Sequence, residues 1–271
     1  MGNKVAAIDS AGGINYKSQG HNYDPYLKSF IIGSGGYISS WEQEKKKKTS
    51  LVIRGLGSKS RAAIAHCWKT NRTFYAIDTG YFGNGKIKKY HRITKNNLQN
   101  MGPIIERSGD RLRAIDWKFK KFSDGSKILI CPPSEKVMSL WNQPSPEKWT
   151  KQVVAELEKY TDRPIEIRLK PPRSKRVAAE SIEHALADDV YCLVTYNSIA
   201  ATEALLNGKP AIALGPNAAQ VLCNTQLSEI ENLNYPSQDE TEAFARHLSY
   251  CQFTQYELKN GTAWHILNES S

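Results

Sequence analysis

An α/β chain of two Rossmann-like halves is what this sequence predicts, and three observations predict it. Short apolar runs, each followed by a small-residue turn and a helical stretch, recur along its 271 residues. The clearest run, residues 189–215, goes strand, tight turn, helix, turn, strand. Formal charge also divides: residues 1–125 hold 23 Lys+Arg against 9 Asp+Glu, a balance of +14, and residues 126–271 hold 14 against 18, a balance of −4. The turn at Asp124-Gly125-Ser126 separates these spans as two domains.

In the first half, the apolar run at 4–9 predicts a strand that a Ser-Ala-Gly-Gly turn ends. Asp24-Pro25 opens a turn, and Leu27–Ile32 is expected to be another short strand before Gly33-Ser34-Gly35-Gly36. Lys45 through Lys48 is an exposed run that either grips phosphates or is plain solvated surface. Ser50–Arg54 is a strand, Gly55-Leu56-Gly57-Ser58 a glycine turn and Lys59–Lys69 a helix. Thr73–Ile77 is the next strand, which puts Asp78 at a strand's C-terminal end, where reactive groups collect in parallel sheets. From Lys86 onward cations interleave with aromatics and amides (Lys88, Lys89, Tyr90, His91, Arg92, Asn97), a composition that neutralises phosphates and stacks on bases. No helix-turn-helix, zinc-finger or RNP pattern appears.

In the second half, Lys127–Cys131 is a buried strand, followed by Pro132-Pro133-Ser134-Glu135-Lys136. Ser134 and Lys136 either meet phosphates or simply open a capped helix. Pro146–Tyr160 carries Trp149, Val153 and Leu157 at helical spacing, and Ile165–Leu169 is a strand that includes Arg168. Ala178–Leu186 is a helix, Val190–Thr195 a strand buried on both faces, and Ile199–Leu206 a helix that Ser198 can cap. Ala211–Leu214 is a strand, Asp239–Tyr250 an amphipathic helix, and Thr254–Leu258 with Gly261–Leu267 a last helix.

Composition excludes several classes. No apolar run approaches the roughly 18 residues of a membrane span. The N-terminus lacks a signal peptide's apolar core. Five scattered cysteines with no C-x-x-C pair argue for reduced thiols, hence a cytoplasmic protein, and against both a disulfide framework and a zinc site. The concentration of cations in one half suits a polyanionic partner.

The stretch Asn197-Ser-Ile-Ala-Ala-Thr-Glu-Ala-Leu-Leu-Asn-Gly-Lys-Pro210 resembles the donor-site segment of glycosyltransferases of the GT-B fold, which implies two facing Rossmann-like domains with a cleft between them. That resemblance implies that Asn197, Ser198 and Thr202 lie near the phosphates of a nucleotide sugar, and Glu203 near its ribose. It implies the same diphosphate role for Lys170 and Arg173, with Arg168 beside them, and for Ser134 and Lys136. The His common in that loop of the family is absent here. In the family the first domain binds the acceptor, and the last helix often crosses back to it.

Transfer needs a base for the acceptor hydroxyl and cations for the leaving diphosphate. Asp78 is the first candidate base, then Asp9 and His91; the plainer role for Asp78 is a turn. No D-x-D metal motif occurs, so a UDP-sugar donor is expected without a metal or a resident cofactor. A basic acceptor domain makes the chain similar to bacteriophage DNA glycosyltransferases. These sugar a hydroxymethylated pyrimidine in double-stranded DNA, which requires flipping the base. Candidate DNA contacts are Lys45–Lys48, Arg54, Lys86, Lys88, Lys89, His91, Arg92 and Asn97. Two alternatives stay open: a transferase of capsule or lipopolysaccharide synthesis, and a non-catalytic DNA-binding protein. A monomer is expected.

Overall fold

The computed structural model describes residues 5–8, 24–84, 88–169, 182–187 and 189–269. Asp9, Lys86, Lys170 and Arg173 lie outside them. The chain divides into two compact units, residues 1–100 with 248–271, and residues 101–247. Charge follows this division: the first unit holds 18 Lys+Arg against 7 Asp+Glu, the second 19 against 20.

The first unit opens on β1 (Val5–Ile8). Leu27–Ile32 is not a strand. It lies inside α1 (Pro25–Ser34), whose N-terminus Asp24 caps by accepting from the amides of Tyr26 and Leu27 at 3.0 and 3.2 Å. Asp at the N-cap followed by Pro at the first helical position is a helix start as well as a turn signal. Gly35 ends α1 at φ 65°. Then come β2 (Tyr37–Ser39), α2 (Trp41–Glu44), β3 (Ser50–Arg54), α3 (Ser58–Thr70), β4 (Phe74–Thr79) and β5 (Tyr90–Lys95). β2, β1, β3 and β4 are mutually parallel, and β5 runs antiparallel to β4 with Asp78 opposite Arg92 and Thr79 opposite His91.

The second unit begins with α4 (Asp110–Ile115). Residues 101–125, placed with the first half on charge grounds, pack here: Trp117 Nε1 donates to the Leu206 carbonyl, and the Ser123 amide to the Gly208 carbonyl. Gly208 has φ 71°, and a Cβ there would lie 2.2 Å from the Lys121 carbonyl oxygen, so only glycine fits that approach. β6 (Lys127–Cys131), α5 (Glu135–Leu140), α6 (Pro146–Leu157), β7 (Ile165–Ile167), α7 (Ile182–Ala187), β8 (Val190–Thr195), α8 (Ala200–Leu206), β9 (Ala211–Ala213) and α9 (Gln238–Ser249) complete it. The sheet is parallel throughout in the order β7-β6-β8-β9. Its core joins Ile128, Ile130, Cys192, Val194 and Ile212 to Trp149, Val153 and Leu157 of α6.

The chain then returns to the first unit. β10 (Gln252–Thr254) pairs antiparallel with β5, giving the sheet order β10-β5-β4-β3-β1-β2. The expected single last helix is two, α10 (Gln255–Lys259) and α11 (Thr262–Glu269), broken at Gly261 with φ 90°. Phe253, Leu258 and Ala263 enter the same core as Phe30, Val52, Tyr75 and Ile77. All five cysteines are buried and none is in a disulfide. Burial pushes the Cys67 thiol up to about 11 and Cys223 to about 12, so neither forms a thiolate readily at neutral pH.

Candidate active site

In the second unit the strand order reverses direction between β6 and β8, since β7 lies to one side and β9 to the other. Ligands of open α/β sheets bind beyond the strand C-termini at such a switch point. Thr195 Oγ1 bridges the two strand ends by donating to the Cys131 carbonyl at 2.7 Å. The turns leaving those ends carry Ser134 and Asn197-Ser198.

Ser134 is the exposed N-cap of α5, where its side chain makes no capping bond, and Lys136 is exposed beside it. Asn197 is buried and Ser198 half-buried, with Ser198 Oγ accepting from the Ala200 amide at 3.2 Å. Glu203 is half-buried in α8. Thr202, by contrast, is fully buried and its hydroxyl has no hydrogen-bond partner. Arg168, one residue past β7, is half-buried, and its amide donates to the Ile130 carbonyl at 2.8 Å.

Asn217 belongs to this loop group and is not among the residues that the sequence predicts for it. It is 1% exposed, donates through Nδ2 to the Ser198 carbonyl at 2.9 Å and accepts from the Ala219 amide at 3.0 Å. The second contact is an Asx turn, which an Asn between Gly-Pro and two alanines foreshadows. A Cβ on Gly215 would meet the Tyr196 ring at 2.5 Å. Replacing Gly215 with Val is therefore expected to displace Tyr196 and the adjoining Asn197-Ser198 turn. The thermal midpoint of the second unit, measured by scanning calorimetry, should fall by about 5 °C or more.

In the first unit, the C-terminal edge of the sheet collects Arg54, Asp78, Lys88, His91 and Arg92. Arg54, at the end of β3, pairs with the helix-capping Asp24 at 3.0 Å and lies 4.4 Å over the Tyr26 ring. Tyr26 stacks on His91 at 3.6 Å between ring centroids. Asp78, at the end of β4, keeps a half-exposed carboxylate that accepts from the Thr79 amide at 2.7 Å and from Arg92 at 3.1 Å. Arg92 also donates to the Thr79 carbonyl at 2.7 Å, and Lys88 to the Thr79 hydroxyl at 3.0 Å. Lys89 is exposed with its ammonium 5.0 Å from the Tyr90 ring. A carboxylate whose orientation is fixed by an amide and a guanidinium at the C-terminal edge of a parallel sheet has the chemistry to take a proton from a hydroxyl.

Lys45–Lys48 and Asn97 are not brought to this edge. The 45–48 run precedes β3 and Asn97 follows β5, so both lie at the opposite, N-terminal edge of the parallel strands.

His91 is 1% exposed, and its Nδ1 has no hydrogen-bond partner. Burial, and then the nearby Arg54 and Lys88, push its pKa down to about 4 against the pull of Asp78. An unfolded His titrates near 6.5, so between about pH 6.5 and 4 the unfolded chain binds a proton that the folded chain refuses. Stability is expected to fall as pH drops through that window, by about 3 kcal/mol from this group. His91→Gln should flatten that part of the profile, read as the difference in urea midpoint between neutral and acid buffer.

No protein-family model matches this chain. No curated protein sequence matches it either. Among solved structures it is similar to the KpsC β-Kdo 2,4-transferase of Thermosulfurimonas dismutans, with a TM-score of 0.52 at 15% identity over 91% of this chain and 90% of that one. The KpsC β-Kdo 2,7-transferase of the same organism gives a TM-score of 0.48 at 12% identity, over 99% and 100%. The fold is GT-B-like, as found in glycosyltransferases. Two Rossmann-like units follow from it, as the sequence predicts. The switch-point loop group in the second unit follows from that fold. Among the described residues no cluster of His, Cys, Asp and Glu is arranged to hold a metal ion, and no helix is long and apolar enough to cross a membrane.

Proposed function

We propose that this protein is a glycosyltransferase that moves a sugar from a nucleotide-sugar donor to an anionic surface glycan of the capsule or lipopolysaccharide type. The observation that carries the proposal is the likeness, over nine-tenths of both chains, to a transferase whose name gives the acidic sugar Kdo as its cargo. In this reading Glu203 accepts the ribose hydroxyls, and Ser134, Lys136, Ser198 and Arg168 meet the phosphates. Asp78 takes the acceptor proton, while Arg92 and Lys88 hold the carboxylate's surroundings electropositive. Charge on the leaving group falls to cations and amides, with no metal assigned a role.

One observation favours a second reading. The first unit's balance of +11 suits DNA as well as an acidic glycan, and supports transfer to a hydroxymethylated pyrimidine. The experiment is transfer of labelled sugar from uridine and cytidine sugar nucleotides to three acceptors: an acidic oligosaccharide, hydroxymethylated duplex DNA and plain duplex DNA. Label on the oligosaccharide alone is the expected result. Label on modified DNA alone establishes the second reading, and DNA binding without turnover overturns both.

A further inference from the structure

The edge of the first unit's sheet that faces away from Asp78 carries its own chemistry. Chain turns at 34–37, 45–50, 70–74 and 95–97 form it, because β2, β3 and β4 all start there and β5 ends there. The 258–261 turn joins the same corner, with Leu258 and Gly261 packed against Gly33 near the end of α1.

The acids of this edge are already matched. Glu44 is fully buried, pairs with Lys47 at 2.8 Å and accepts from the Tyr37 hydroxyl at 3.2 Å. Arg72 donates to the Glu44 and Thr49 carbonyls at 2.7 Å each, which ties the lysine run to the end of α3. Glu42 pairs with Lys45. Lys46, Lys48, Lys69 and Lys259 are left exposed with no acidic partner among the described residues. At the same edge, in the last turn of α1, Ile32 stands 51% exposed.

We propose that this edge docks the protein on an anionic phospholipid surface. Four exposed ammonium groups supply sequence-independent attraction to lipid phosphates, and a protruding aliphatic side chain gains by entering the headgroup layer. A nucleic-acid grip would call for arginine forks and free aromatic planes beside the cations; Trp68, next to Lys69, is instead half-buried against Phe74 and donates to the Asn96 carbonyl. Arg72 is buried against Glu44, and Tyr37 lies under Lys47. The inference uses no residue of the proposed reaction and stands without it.

The test is co-sedimentation of the full chain with phosphatidylcholine vesicles, either pure or with about one third phosphatidylglycerol, at low and high salt. Binding is expected only to the anionic vesicles, weakened by salt, and reduced about tenfold or more in K46E/K48E. Ile32→Ser should weaken it several-fold while leaving binding to a DNA duplex unchanged. Both sets of substitutions fall on exposed side chains, and an unshifted thermal midpoint verifies folding. Wild-type vesicle binding by K46E/K48E overturns the proposal, as does equal binding to neutral vesicles. Tighter binding to the duplex than to vesicles, with Ile32→Ser silent, overturns it in favour of a general polyanion grip.

Discussion

Asp78→Asn is expected to lower turnover by about 10²- to 10⁴-fold while leaving nucleotide affinity unchanged. The amide keeps the shape of the carboxylate and its contact with the Thr79 N–H, but it cannot accept a proton from an acceptor hydroxyl. It also leaves Arg92 without its acidic partner at 3.1 Å. Single-turnover rates with calorimetric binding separate the two effects, because a purely structural role would weaken binding and the thermal midpoint together. Full activity in Asp78→Asn would move the base to another residue, and His91, buried and stacked on Tyr26, is then the group to replace.

The second large effect is structural. Gly33→Val should destabilise the first unit by about 3 kcal/mol, since a Cβ at that position lies 2.1 Å from the Leu258 carbonyl oxygen. The obstacle is backbone on both sides, so rotamer changes cannot relieve it. The thermal midpoint of that unit should fall by roughly 10 °C. The second unit, whose core contains none of these residues, should keep its own transition and its nucleotide affinity. A single cooperative loss of both in calorimetry would contradict this.

Much of the second unit was legible in the sequence, because its strands are continuous apolar runs and its turns are rich in Gly, Pro and Asn. Lys127–Cys131, Val190–Thr195 and the helix after Ser198 appear where periodicity puts them. In the first unit, local signals competed. Leu27–Ile32 is apolar enough for a buried strand, and only the Asp24-Pro25 cap and the Gly35 stop identify it as a helix. β10 is three residues long and exists through its pairing with β5, a long-range contact that no local pattern encodes. The charge boundary near residue 125 misses the packing boundary near 100, because surface charge reports on partners and not on cores.

The candidate site divides the same way. Asp78 is visible as the end of a strand, and Ser198 and Glu203 as parts of a recognisable stretch. That Lys45–Lys48 point to the other edge from Arg54 follows from strand direction, which composition does not carry. Asn217 was hidden for a related reason: its contact with Ser198 joins two loops 19 residues apart.

The route of the chain has a consequence during synthesis. Residues 101–247 contain every strand of their own sheet, so they can collapse as soon as they clear the ribosome. The unit made before it cannot finish until β10, α10 and α11 arrive to cover the free side of β5 and fill the space beside Phe30. The earlier-made of the two units is thus the later to mature, and a nascent chain stalled before residue 248 presents an open strand to its neighbours.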